Sequence, residues 1–127
     1  MADLFSLPLR GRVLVEASAG TGKTYALEIL FVRLVALEGI PVERILTVTF
    51  TEAATQELRT RLTQRLTHCL RQQHAPADEL SRRLEEAEAR GIPVKTRLTA
   101  ARLNMDQAPI STIHGFCQRL ISRFGLA

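Results

Sequence analysis

The eight residues Ala17 to Thr24, A-S-A-G-T-G-K-T, constrain this chain more than any others. Gly20 and Gly22 let the backbone curl so that successive N–H groups point at one anion, and a helix leaving the loop turns its positive end to the same place. Such a loop works only between a strand that enters it and a helix that leaves it, so the flanks test the reading. Arg12 to Glu16, R-V-L-V-E, is a short β-branched run. From Tyr25 to Leu37 apolar residues recur at helical spacing through Ala26, Leu27, Leu30, Leu34 and Leu37. The first loop position is Ala17, where the strict pattern has glycine. Ala17, Ser18, Ala19, Gly20, Thr21 and Gly22 are expected to wrap the phosphates of a nucleotide. Lys23 would reach the β and γ phosphates and Thr24 would complete the shell of a magnesium ion bridging them, which makes ATP and Mg2+ the expected cofactors. The plainer alternative is a glycine-rich turn that happens to hold a lysine, and it leaves the strand and helix on either side unexplained.

Beyond the loop, Gly39, Ile40 and Pro41 end the first helix. Arg44 to Phe50, R-I-L-T-V-T-F, has the continuous apolar and β-branched character of a buried parallel strand. A helix from Ala53 to about Gln73 follows, with Ala54, Leu58, Leu62, Leu66 and Leu70 every fourth residue and Arg59, Arg61, Arg65 and Arg71 off that stripe. One face should be core and the rest basic. Residues 74 to 108 differ in kind: Asp78 to Arg90 offers the i,i+4 pairs Arg82 with Glu86 and Glu86 with Arg90, as a solvated helix does, and Gly91 and Pro93 close it. A further helix is expected from about Val94 to Met105, and the whole tract reads as a helical insertion. Pro109 then resets the chain into a strand, Ile110 to Ile113, and a last helix from about Gly115 to Phe124. The order β-α-β-α-(α-α)-β-α implies an α/β fold, a parallel sheet with helices on its faces.

At 127 residues there is room for one domain, and 46% hydrophobic against 24% charged residues gives it a core to bury, which excludes a disordered tail. Glu28, Arg33 and Glu38 interrupt the most apolar region and the first residues lack a basic segment, so a membrane span or secretion signal is not expected. The 17 Lys and Arg exceed the 13 Asp and Glu by four, an excess compatible with a phosphate-bearing partner but equally ordinary for other proteins. Cys69 and Cys117 lie far apart with no His or Cys at metal spacing, so each is expected to be a small buried apolar side chain, in keeping with a cytoplasmic location.

Three stretches occur in a fixed order: E-A-S-A-G-T-G-K-T (Glu16 to Thr24), T-V-T-F-T-E-A-A-T-Q-E-L-R-T-R (Thr47 to Arg61) and I-S-T-I-H-G-F-C-Q-R (Ile110 to Arg119). With them the chain resembles superfamily 1 helicases of the UvrD/Rep type, most nearly the exonuclease V beta-subunit branch, over essentially its whole length. Each stretch alone is moderately specific, whereas three in order are strong. The resemblance implies a P-loop NTPase fold of the RecA-like kind, of which residues 1–127 would be the N-terminal, ATP-binding portion. It implies a parent that couples ATP hydrolysis to translocation on single-stranded DNA and to duplex unwinding in recombinational repair. Single strands and duplex ends would be its substrates, and other subunits of an exonuclease V type complex its partners.

The resemblance also carries Thr49, Phe50, Thr51, Ala53 and Ala54 to a helix N-terminus facing single-stranded DNA, and Thr112 and His114 to the same path. Small residues and hydroxyls let backbone amides approach a phosphate, and an aromatic ring stacks on any base. The residues by themselves leave a second reading open. Phe50 would end a buried strand, Thr51 would cap the next helix with Glu52 favouring its dipole, His114 would be a cap or interior group, and Phe116 would be core. His68 and His74 suggest no role. A complete motor further needs a strand ending in Asp-Glu and arginines that reach the γ phosphate. After the loop the aspartates are Asp78 and Asp106, in polar helical or loop surroundings, so binding of nucleotide and DNA is expected without turnover. A small P-loop kinase, or a non-catalytic nucleotide- or DNA-binding module, would share the loop but would leave T-F-T-E-A-A and S-T-I-H-G-F unexplained.

Overall fold

A computed structural model describes residues 21–71 and 79–123, with side chains from residue 25 onward. The expected strand at Arg12 to Glu16 and loop positions Ala17 to Gly20 lie outside the described residues. Helix α1, Thr21–Ala36, begins four residues before the apolar periodicity does, so the G-K-T of the loop belongs to its first turn. The sequence stripe through Leu34 and Leu37 needs correction, because both are only half-buried. Ile29, Leu30, Phe31, Val32, Val35 and Ala36 are all buried, together with Glu28 and Arg33. A helix covered on nearly every side is a central one. Its C-terminus is held by Arg97, whose Nη1 donates to the carbonyls of Ala36 at 3.0 Å and Leu37 at 3.3 Å. Gly39 turns the chain there with φ +72, a conformation that favours glycine, and a Cβ would lie 3.0 Å from the Arg97 guanidinium carbon and press that side chain aside.

After Pro41 the chain makes a single 3-10 turn, Val42–Arg44, before strand β1, Thr47–Thr49. The strand is thus shorter than the Arg44 to Phe50 expected from composition: Arg44 closes the turn, Ile45 and Leu46 precede the ladder, and Phe50 has already left it. Helix α2, Glu52–Arg71, buries Leu58, Leu62 and Leu66 as its spacing demands, with Thr55 in place of Ala54 at the head of the stripe. Helix α3, Glu79–Ala89, carries the expected Arg82 to Glu86 contact at 3.1 Å on its outer face. Its inner face buries Leu80, Leu84 and Ala87. Helix α4, Val94–Leu103, buries Val94, Leu98 and Ala101, and a 3-10 turn, Met105–Gln107, replaces its expected last residues.

Strand β2, Ile110–Thr112, pairs parallel with β1 in the register Thr47 to Ile110, Val48 to Ser111 and Thr49 to Thr112. Parallel neighbours need a long crossover, and α2, α3 and α4 supply it. Helix α5, Ile113–Arg123, starts at once, so Ile113 and His114 are in its first turn and not, as expected, in a strand and a connecting loop. The described residues therefore form a mostly helical domain around a small parallel sheet. One apolar cluster joins α1, Val42, α2, α3, α4, Met105, Ala108 and Ile110. Helix α5 buries no residue, and Ile113, Leu120 and Ile121 are exposed on it. Among the described residues no helix is long and apolar enough to cross a membrane.

Candidate nucleotide and DNA site

The parallel pairing decides the site geometry. Because β1 and β2 run the same way and each is followed by a helix, the starts of α2 and α5 emerge at one edge of the sheet, and the register sets Thr49 beside Thr112 there. Both helices open alike. Thr51 Oγ1 accepts the N–H of Ala54 at 3.0 Å, and Thr112 Oγ1 accepts the N–H of Gly115 at 3.0 Å. Each hydroxyl satisfies the third amide of its helix, one of the four left without an internal partner, while the remaining amides keep their positive end toward the sheet edge.

The residues around these caps divide by exposure. Phe50 is 66% exposed, which overturns the reading of it as the end of a buried strand. Thr51, Ala53 and His114 are exposed too, and Ala54 and Phe116 are half-buried. Thr49 and Thr112 lie behind this surface, 4% and 8% exposed. The Thr49 hydroxyl is 2.6 Å from that of Thr55 and donates to the Ser111 carbonyl at 3.4 Å, tying β1, α2 and β2 together beneath the turn. Sequence reasoning does not single out Thr55 or Ser111. The available signal is that Thr55 follows Thr51 by four residues and leads the Leu58, Leu62, Leu66 stripe, so its hydroxyl must face inward. Gly115 is a second such residue: a Cβ on it would meet Thr112 Oγ1 at 3.2 Å and Ser111 Oγ at 3.3 Å, so a side chain would press on the cap.

The start of α1 is the other half of the candidate site. Thr21, Gly22, Lys23 and Thr24 form its first turn, and the helix is 16 residues long in all, so its unpaired amides present a positive end where the loop is expected to hold phosphate. Ala17, Ser18, Ala19 and Gly20 lie outside the described residues.

The basic face expected on α2 is largely committed elsewhere. Arg59 donates to the carbonyls of Met105 and, at 3.1 Å, Ala108, fixing the turn that leads into β2. Arg61 and Arg65 both reach Glu28 of α1. Only Arg71, of the four arginines named on this helix, is exposed. The cysteines also differ from expectation: Cys69 is half-buried against the core, but Cys117 is exposed on α5.

Comparison with known proteins identifies the family. The model of the UvrD/REP helicase N-terminal domain matches residues 4–126. The chain is 43% identical to the RecBCD enzyme subunit RecB of Escherichia coli (strain K12) over 94% of its own length and 11% of that protein. It is 36% identical to the RecBCD enzyme subunit RecB of Mycobacterium tuberculosis (strain ATCC 25618 / H37Rv), over 95% of the chain and 12% of the relative. With an ATP-dependent helicase/nuclease of Staphylococcus aureus (strain JH9) it shares 35% identity over 87% of the chain and 8% of the relative. The chain thus spans about a tenth of the length of the relatives it matches. With the match running through all three motif stretches, and two of them set side by side by a parallel strand pair, the chain belongs to the UvrD/REP helicase N-terminal domain family.

Proposed function

We propose that this chain is the nucleotide-binding and part of the DNA-facing portion of an ATP-dependent DNA helicase of the exonuclease V type, in a P-loop NTPase fold of the RecA-like kind. The parent would couple ATP hydrolysis to translocation on single-stranded DNA and to duplex unwinding in recombinational repair. It would work in the cytoplasm, on single strands and duplex ends, with other subunits of such a complex. The observation that carries the reading is the side-by-side placement of Thr49 and Thr112, which brings Phe50, Thr51, Ala53, Ala54 and His114 to one sheet edge between two capped helix starts. Two positive helix ends flanking an exposed ring suit a strand of phosphates and stacked bases. Thr49 and Thr112 serve from behind, holding the turn and the cap. Residues 74–108 are proposed as a helical insertion that completes the core beside α1 and α2.

Ala17 to Thr24 would hold ATP, with Lys23 on the β and γ phosphates and Thr24 on Mg2+; the start of α1 at Thr21 fits that assignment. When bound, the magnesium ion draws charge from the phosphate oxygens. The chain's own part is to orient those oxygens with backbone amides and to place the Lys23 ammonium beside them. A kinase reading would use the same loop but gives no purpose to the exposed Phe50 or to the two matched caps.

The test is calorimetric titration with ATP and Mg2+. Lys23→Ala is expected to abolish measurable binding while the folding transition is retained, since in this reading its ammonium serves the phosphates and not the core. Unchanged affinity in a folded variant sinks the phosphate-loop assignment.

A further inference from the structure

Glu28 is a buried carboxylate, 3% exposed, with no part in the proposed phosphate or DNA contacts. It lies one helical turn after Thr24, on the same face of α1. Arg65 Nε donates to its Oε1 at 3.0 Å. Arg61 Nη2 is 3.1 Å from Oε2, an ion-pair contact out of line for a hydrogen bond, so Oε2 is buried without a hydrogen-bond donor among the described residues. The Arg65 guanidinium also packs over the Tyr25 ring, 5.6 Å from its centroid. The Arg61 side chain, 36% exposed, has a second carboxylate in ion-pair range on its own helix, Glu57 at 3.9 Å.

Stability alone does not account for this cluster. Moving a carboxylate out of water is costly, and well-packed apolar residues in place of such an ion pair are often neutral or stabilising. What charge adds is directional: the Arg65 Nε hydrogen bond and the Arg61 ion pair define one register of α2 against α1. Arg61 faces both carboxylates at once, Nη2 toward Glu28 of α1 and Nη1 toward Glu57 of α2, so one side chain braces the two helices. At 1.5 Å per residue, Glu28 is about 10 Å along α1 from Thr21, and Arg61 about 14 Å along α2 from Glu52. The junction therefore lies about two turns from the start of α1 and about two and a half from that of α2, joined to each by continuous helix.

We propose that Glu28, Arg61 and Arg65 are positioning residues that couple nucleotide occupancy at the start of α1 to DNA affinity at the start of α2. This rests on the function proposed above. The Arg61 and Arg65 contacts with Glu28 hold α2, and with it Phe50 and the Thr51 cap, in the register set by α1. Loss of the Glu28 carboxylate would leave Arg61 with Glu57 alone and uncouple the two.

The experiment measures Mg-ATP affinity of the whole chain with and without saturating single-stranded oligodeoxythymidylate, in the parent, Glu28→Gln, Arg61→Gln and Arg61→Lys. In the parent the DNA should change nucleotide affinity by at least about fivefold, the lower end of ordinary coupling between sites. Glu28→Gln and Arg61→Gln should bring the ratio to about one while each ligand alone binds nearly as before, and Arg61→Lys, which keeps the charge, should retain part of it. A purely structural role would instead weaken both ligands and leave their ratio intact. Equal ratios in the folded parent and folded glutamine variants overturn the inference, as does a parent that binds both ligands with no ratio at all. A folded parent that binds neither ligand overturns the proposed function itself, and the clamp with it. Should Glu28→Gln fail to fold, the half-exposed Arg61 variants decide the matter.

Discussion

At the scale of single residues, Phe50 and Thr51 are neighbours with opposite duties, and substitution should separate them. Thr51 closes the start of α2 through Ala54, so Thr51→Ala should cost on the order of 1 kcal/mol of stability, read as a lower unfolding midpoint, and Thr51→Ser should restore most of it. Phe50 is 66% exposed, so Phe50→Ala should leave that midpoint nearly unchanged. If its ring stacks on a base, the same change should weaken single-strand binding by roughly 1 to 3 kcal/mol without regard to base sequence. Binding titrations on folded protein check this, and a Phe50→Ala chain that binds like its parent removes the ring from the DNA path. Cap and ring are competing readings of one sequence stretch. Both Thr51 and Thr112 prove to be caps, yet a cap and a DNA-facing helix start are compatible, because the hydroxyl occupies one amide and leaves the others directed outward.

Among the elements, α3 is held at its start by charge and along its length by Leu80, Leu84 and Ala87. Hydrogen bonds from Arg82 and then Arg83 hold the Glu79 carboxyl below its ordinary value of 4.5, and the same pairing with Glu79 raises Arg82. A carboxyl whose value is depressed by folding adds stability above its unfolded value and loses it as pH falls through the folded one. Glu79→Gln should therefore lower the unfolding midpoint slightly at pH 7, and the two midpoints should converge in acid as the parent carboxyl takes up its proton. The contacts lie at the surface, so the difference should also shrink in high salt. Midpoints that remain parallel across the acid range would mean the pairing contributes nothing. Helix α5 makes the contrast: it is amphipathic in sequence but buries no residue among those described, so Leu120 and Ile121 remain at the surface.

For the molecule as a whole, binding and turnover should part company. Hydrolysis requires a water-positioning acid and γ-phosphate arginines aligned at one moment, and positioning with charge stabilisation supplies nearly all of phosphoryl-transfer catalysis. The Asp-Glu pair in these 127 residues, Asp78-Glu79, follows A-P-A instead of an apolar strand, and Glu79 opens α3. Phosphate release should therefore stay at background with and without single-stranded DNA. Binding of single strands should still occur, weakly and with a steep loss in salt, because phosphate contacts release counterions. DNA-stimulated turnover abolished by Lys23→Ala would show a complete active site within the chain.

Much of this is legible in the sequence because it depends on local periodicity. Leucines every fourth residue give α2 its buried face, proline and glycine mark the element ends, and a β-branched run on each side of the crossover foretells parallel strands. The three motif stretches point to the family by their order alone. Tertiary structure alone decided what depends on a partner distant in the chain. It shortened β1 by taking Arg44 into the 3-10 turn and leaving Phe50 outside the ladder, buried α1 on nearly all sides and set Thr49 beside Thr112. It also turned Arg59, Arg61 and Arg65 from an expected basic surface into contacts with Met105, Ala108 and Glu28. The physical reason is common to these cases: spacing along a helix says which side chains share a face, whereas the identity of what packs against that face is set by long-range pairing, and an arginine reads the same in sequence whether water or a buried carboxylate receives it.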